Sequence, residues 1–349
     1  MTSNEAPTER DHPPQGDEKA FCAWVSAREI NSMPEEIRRD GIEDFRSTIY
    51  NKMWFLSLKY SMGSYLADHE PTLHALWYTL FQAGMNVTHT APEQDRWILD
   101  LLRIQGQGYL RRPAPRPRPR PANWLSIQDN ERGGKRAGSD DDGDEEYEMA
   151  QTTGGGVLWA DLPFFVEDMR RLWLAEWEAM ERDHRTNLAG FLAKLAATGL
   201  DNDRLSSILL HVLQEMLETD RPLVRQKEVL EPQPLSVEDL IPTANVIMRY
   251  AGIKLLTLSD QSWNGSDENL GVSELEGFSP QRYLLWVKRL DAIEQEARRL
   301  GYAELEKAAC GVLDRMLVDI EGRYTRILRA WETAGGLDSI VHKPVINWT

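Results

Sequence analysis

The segment that most restricts what this chain can fold into lies near its middle. From Arg111 the sequence runs RRPAPRPRPRPAN, with proline at every second position from Pro113 to Pro121. Proline lacks a backbone N–H and fixes φ, so this piece can enter neither a helix interior nor a central strand and reads as an extended rod. Asp129 to Glu148 then carries nine acidic residues against Arg132, Lys135 and Arg136, a net of −6, and Gly154, Gly155 and Gly156 close the segment. Little there can build a core large enough to offset chain entropy, so residues 111–156 read as a disordered insertion, Pro/Arg-rich and then acidic. Residues 1–16 read as a disordered tail on the same ground.

On either side, apolar residues recur at helical spacing. Phe165, Met169, Leu172, Trp173, Trp177 and Met180 share one helix face, and Leu205, Ile208, Leu209, Val212, Leu213, Met216 and Leu217 repeat the pattern. A third stripe runs from Leu305 to Trp331, interrupted by Gly311 and Gly322, which mark a bend, a close crossing or a division into two helices. Ser32 with Glu35, and Thr90 with Glu93, fit capping boxes with Pro34 and Pro92 in the first turn. Ser279 before Pro280, with Phe278 and Tyr283 as a hydrophobic staple, reads as a further helix start, and Gly199 before Leu200 as a helix stop. Runs of alternating β-branched residues are few, so strands should be absent or marginal. The expected fold is all-α, an irregular bundle of about nine or ten helices. Residues 17–110 and 157–335 form its two halves, packed on one core, and residues 336–349 are an extended tail.

Charge and cysteine content narrow the function. The balance of 40 basic and 56 acidic residues, −16, disfavours binding of nucleic acid or an anionic membrane by the surface as a whole. The exception is the Arg-Pro rod, where Arg116, Arg118 and Arg120, with Trp124 beside them, could engage a protein groove or RNA phosphates. Its bland alternative is a spacer that the acidic run downstream partly neutralises. Ser139, followed by three aspartates, fits an acidophilic kinase. Cys22 and Cys310 form no metal knuckle or disulfide framework. The first twenty residues hold no signal-like apolar core, and no stretch is apolar enough to span a bilayer, so an intracellular protein, cytoplasmic or nuclear, is expected.

Catalytic motifs fail on inspection. Asp140, Asp141 and Asp144 spell D-D-x-x-D, with which helical isoprenoid cyclases hold magnesium, but they sit in a low-complexity run. The companion pattern begins at Asn202, Asp203 and Ser206 and fails at Leu210, which has no oxygen for a hard cation. No two of the seven histidines stand four apart, and the phosphate-loop, dinucleotide and nucleophile-elbow patterns are absent. Cys310, on an apolar stripe, reads as a structural thiol. Trp54, Trp77, Trp97, Trp173, Trp177, Trp286 and Trp331 fall in expected helices and read mostly as core. No cofactor or metal is called for.

The run W-A-D-L-P-F-F from Trp159 to Phe165, then Trp173, then N-L-A-G-F-L-A-K-L from Asn187 to Leu195 and the stop at Gly199, resembles a fungal family of uncharacterised all-helical proteins, a domain of unknown function. That resemblance, carried by residues 159–218, implies a fungal origin, a helical fold and an insertion, and implies no activity. Physically, Asp161 suits an N-cap, Pro163 a first helical turn, and Asn187 a hydrogen bond to a neighbouring helix end rather than to a ligand. These readings favour a non-enzymatic helical protein that acts through another macromolecule. The rival is an enzyme or small-ligand binder whose site is assembled in a cavity between helices.

Overall fold

The computed structural model describes residues 42–114, 147–225, 233–263, 277–336 and Ile340. Eleven α-helices and one pair of short strands occur among these residues. The N-terminal half supplies α1 (Ile42–Ser61), α2 (Glu70–Asn86) and α3 (Pro92–Gln105), then strands β1 (Arg111–Pro113) and β2 (Tyr147–Met149). The rest supplies α4 (Leu158–Asp161), α5 (Phe165–Glu176), α6 (Arg182–Ala197), α7 (Ser206–Leu217), α8 (Val237–Gln261), α9 (Pro280–Leu300), α10 (Ala303–Glu321) and α11 (Arg326–Thr333). The number exceeds nine or ten for two physical reasons. α4 is a single turn, too short to leave a periodic signature, and Gly322 divides the long C-terminal stripe into α10 and α11.

Local chemistry explains most of the boundaries. Ser279 Oγ accepts the Arg282 N–H at 3.2 Å with Phe278 and Tyr283 both buried, and Gly199 sits at φ +75° with Leu200 folded in behind it. The longest helix, α8, opens on a capping box: Ser236 Oγ accepts from Asp239 N at 3.3 Å and Asp239 Oδ2 accepts from Ser236 N at 2.9 Å. The box expected at Thr90 and Glu93 does not form. Ala91 precedes Pro92 and is extended, as a residue before proline must be, so α3 starts at Pro92 and Thr90 stands one residue too early to cap it.

Both ends of the segment 111–156 belong to the fold. Arg111, Arg112 and Pro113 pair antiparallel with Met149, Glu148 and Tyr147, and Pro113 closes the strand, where a missing donor costs little. Arg112 supplies what composition does not reveal. Its Nη1 donates to Tyr60 O at 2.9 Å and Ser64 O at 2.8 Å, its Nε to Glu148 Oε2 at 3.0 Å, and its guanidinium lies over the Tyr60 ring at 4.4 Å. Arg116, Arg118, Arg120, Trp124 and Ser139, like the 1–16 tail and the Ser32 box, lie outside the described residues.

One continuous cluster of buried side chains runs from Ile49 to Ile340 and takes in both halves. α8 lies at its centre, against α6 on one side and α10 on the other, and α2 packs on α6. The α2–α6 crossing is close because glycine stands on both helices. A Cβ on Gly84 would fall 2.7 Å from Phe191 Cδ1, and one on Gly190 would fall 2.5 Å from His89 Cβ and 3.0 Å from Val246 Cγ1. By contrast Gly311 faces open space within α10. Gly190→Ala should therefore destabilise the fold by about 1–3 kcal/mol, whereas Gly311→Ala should stabilise it by about 0.5–1 kcal/mol. Urea unfolding of the two variants checks both signs.

Candidate functional site

α1 has two apolar faces, and only one of them enters the core. Ile49, Met53, Leu56 and Tyr60 recur at steps of three or four and are buried. On the other face stand Tyr50 and Trp54, one turn apart, 60% and 56% exposed. Phe55, Met62 and Tyr65 are exposed as well, with Phe55 edge-on to His69 at 6.3 Å and Tyr65 5.2 Å from the Arg112 guanidinium. This corrects the reading of Trp54 as core. The other six tryptophans in that set are buried, but helical spacing alone cannot say which of two apolar stripes meets the core.

Between α1 and α3 this outer face borders a cleft of about 560 Å³ with Met53 and Ile104 among its walls. Its polar element is a carboxylate shared by two guanidinium groups. Asp100 accepts from Arg46 Nε at 2.7 Å and Nη2 at 2.9 Å in a bidentate pair, and from Arg103 Nη1 at 3.3 Å. The charged side chains of the lining are thus two cations and one anion, set between the Tyr50 and Trp54 rings and Gln107. Ser57, at one edge of the cleft, accepts a hydrogen bond from Trp159 Nε1 at 2.9 Å, which ties the cleft to the W-A-D-L-P-F-F run.

That run is architecture of a strained kind. Leu162 and Phe164 have φ of +45° and +67°, in the left-handed region that bulky residues rarely adopt. Pro163 lies between α4 and α5 rather than in a first turn, and its carbonyl accepts from Trp77 Nε1 at 2.8 Å. Asp161 does not cap α5. It ends α4 and accepts the Val157 N–H at 2.8 Å, because the left-handed Leu162 breaks the chain direction after it. The Phe164 ring sits 4.5 Å from His74, whose Nδ1 is 2.6 Å from Asp168 Oδ2. Burial pushes the Asp168 carboxyl up to about 6, against the pull of His74. Both side chains are almost wholly enclosed and neither is among the residues lining the cleft, so the pair braces the turn.

The remaining expected residues are also structural. Trp159 and Trp173 are buried. Asn187 Oδ1 accepts from His89 N at 3.1 Å and its Nδ2 donates to Met85 O at 3.4 Å, bridging to the end of α2. Burial and Asp314 push the Cys310 thiol up to about 11, far from thiolate reactivity. Among the described residues no cluster of three or more His, Cys, Asp or Glu side chains could hold a metal ion, and no helix is long and apolar enough to cross a membrane. Arg46, Asp100 and Arg103 were not legible as a group, since 54 residues separate Arg46 from Asp100.

The model of a family described as "Protein of unknown function (DUF3632)" matches residues 77–290 of this chain. The chain is 30% identical over 336 residues to "Oxopyrrolidines biosynthesis cluster protein G" of Penicillium oxalicum (strain 114-2 / CGMCC 5302), covering 90% of this chain and 85% of that protein. No solved structure matches.

The Asp168 pair has a pH signature. A carboxyl whose folded pKa lies above its unfolded value contributes stability that is present below the unfolded value, 3.8, and lost as pH rises through about 6. Asp168→Asn should remove this fall in unfolding free energy between pH 4 and 6, as read from urea midpoints across that range; the same slope in wild type and variant would refute the assignment.

Proposed function

This chain belongs to the DUF3632 family, and we propose that it is a non-enzymatic binding protein that holds a protein partner on the outer face of α1 and the adjoining cleft. The observation that carries this reading is the exposure of Tyr50 and Trp54 beside Arg46 and Arg103. Tyr, Trp and Arg are the residues in which binding energy concentrates at protein interfaces, because they bury large area at modest entropic cost. The Penicillium relative's name records a biosynthesis cluster, which suggests that the partner is a protein of a biosynthetic pathway. A second reading, a small molecule seated in the cleft, is favoured by its volume of about 560 Å³, which lies within the range of ligand sites.

Affinity purification of the full chain from its native cells, compared with the Tyr50→Ala/Trp54→Ala double variant, separates these readings. A protein recovered in stoichiometric amount with the wild type and reduced at least about tenfold with the double variant is the expected result. Since both side chains are more than half exposed, the melting temperature should move by little. Equal recovery by both proteins would refute the α1 surface as the site, and a co-purifying small molecule lost on the same substitutions would establish the second reading.

A further inference from the structure

The α1 cleft contains a cation that its own neighbours engage only weakly. Asp100, 13% exposed, already holds Arg46 in the bidentate pair, whereas Arg103, one turn further along α3, is 70% exposed and gives Asp100 a single N–H at 3.3 Å. An exposed ion pair three residues apart on one helix contributes little to stability, so Arg103 can turn to another carboxylate at little cost. A guanidinium also carries more N–H donors than that one bond uses. Tyr50 and Trp54 line the same cleft with their rings more than half in solvent. The stretch of chain that carries them is short of acid. Residues 46–67 hold Arg46, Lys52 and Lys59 and no aspartate or glutamate, in a chain where acidic residues outnumber basic ones by 56 to 40.

Given the α1 face as a protein-binding surface, on which this rests, we propose that the partner presents an acidic segment in which a carboxylate stands beside a large apolar side chain. The carboxylate pairs with Arg103, and the apolar side chain lies on the Tyr50 and Trp54 rings. Charge complementarity selects this occupant. A basic segment would set its own charge against Arg103 and the cations of α1, and an uncharged one would cover an arginine that it cannot pair. A second copy of this chain fits less well, because two-fold packing brings the same patch against itself and would oppose Arg46, Lys52 and Lys59 to their own images. Arginine beside tryptophan and tyrosine is also the composition in which interface energy concentrates, and an acidic partner uses all three together.

The test pans a random peptide library displayed on phage against the full chain, against Arg103→Glu and against the Tyr50→Ala/Trp54→Ala double variant. Peptides selected by the wild type should carry aspartate or glutamate next to a large apolar residue, and Arg103→Glu should lose or reverse that preference. The most enriched peptide, synthesised and titrated by fluorescence anisotropy, should bind Arg103→Gln at least about tenfold more weakly, the size of a lost charge-assisted hydrogen bond, and should bind the wild type more weakly as salt rises. Arg103 is 70% exposed, so both of its variants keep the fold. Peptides that need Tyr50 and Trp54 but show no excess of acid, or that bind Arg103→Gln as tightly as the wild type, would overturn the proposal and leave α1 standing as a binding face. Peptides indifferent to Tyr50 and Trp54, or a library from which nothing is selected, would overturn it together with that face. A concentration-dependent dimer seen by sedimentation and lost in the double variant would give the face to a second copy and overturn it as well.

Discussion

The arrangement of this protein depends on how the end of α2 is satisfied. The last carbonyls of a helix have no partner within it, and here they are buried against α6. Gln94, fully enclosed, donates its amide to Gly84 O at 3.1 Å, Val87 O at 2.8 Å and Asn187 O at 3.2 Å, while Asn187 reaches Met85 O and the His89 N–H. One carboxamide from α3 and one from α6 thus serve a helix end packed on α6. Glycine at positions 84 and 190 is what lets the backbones approach closely enough. Lys194 completes the junction from outside, donating to His89 O and Asp95 Oδ1, each at 2.7 Å. The two halves of the chain are joined by polar bonds of fixed geometry as well as by apolar contact, and that geometry sets where α1 and α3 stand.

The second constraint is the turn between α4 and α5. Two left-handed bulky residues around a proline are unfavourable by themselves, and they persist because Trp77 holds the Pro163 carbonyl and Phe164 packs on His74. The enclosed His74–Asp168 pair behind them is expensive to bury, and the raised Asp168 pKa reflects that cost. Both groups are enclosed, and neither is among the residues that line the α1 cleft. What the turn secures is the direction of α5.

At the α1 cleft the Tyr50 and Trp54 rings are more than half exposed, whereas Trp173 is enclosed among core side chains. On a chain of net charge −16, the charged lining of this cleft, Arg46 and Arg103 sharing Asp100, is one cation in excess.

Spacing and backbone preference within a few residues were enough to establish the all-α class, the helix start at Ser279, the stop at Gly199 and the burial of most tryptophans. They also pointed to Asn187 as a polar group needing a helix-end partner, since an amide opening an apolar helix must be paired wherever it is buried. They did not distinguish the two apolar stripes of α1, nor reveal that Arg112 would recruit the ends of the 111–156 segment into a strand pair. Arg46 with Asp100, His74 with Asp168, and Trp77 with Pro163 are brought together only by folding, across separations far longer than any local pattern spans. Local preference is a property of neighbouring residues, whereas a site is a property of which helix faces meet, and that was settled by packing and by the buried hydrogen bonds at the end of α2.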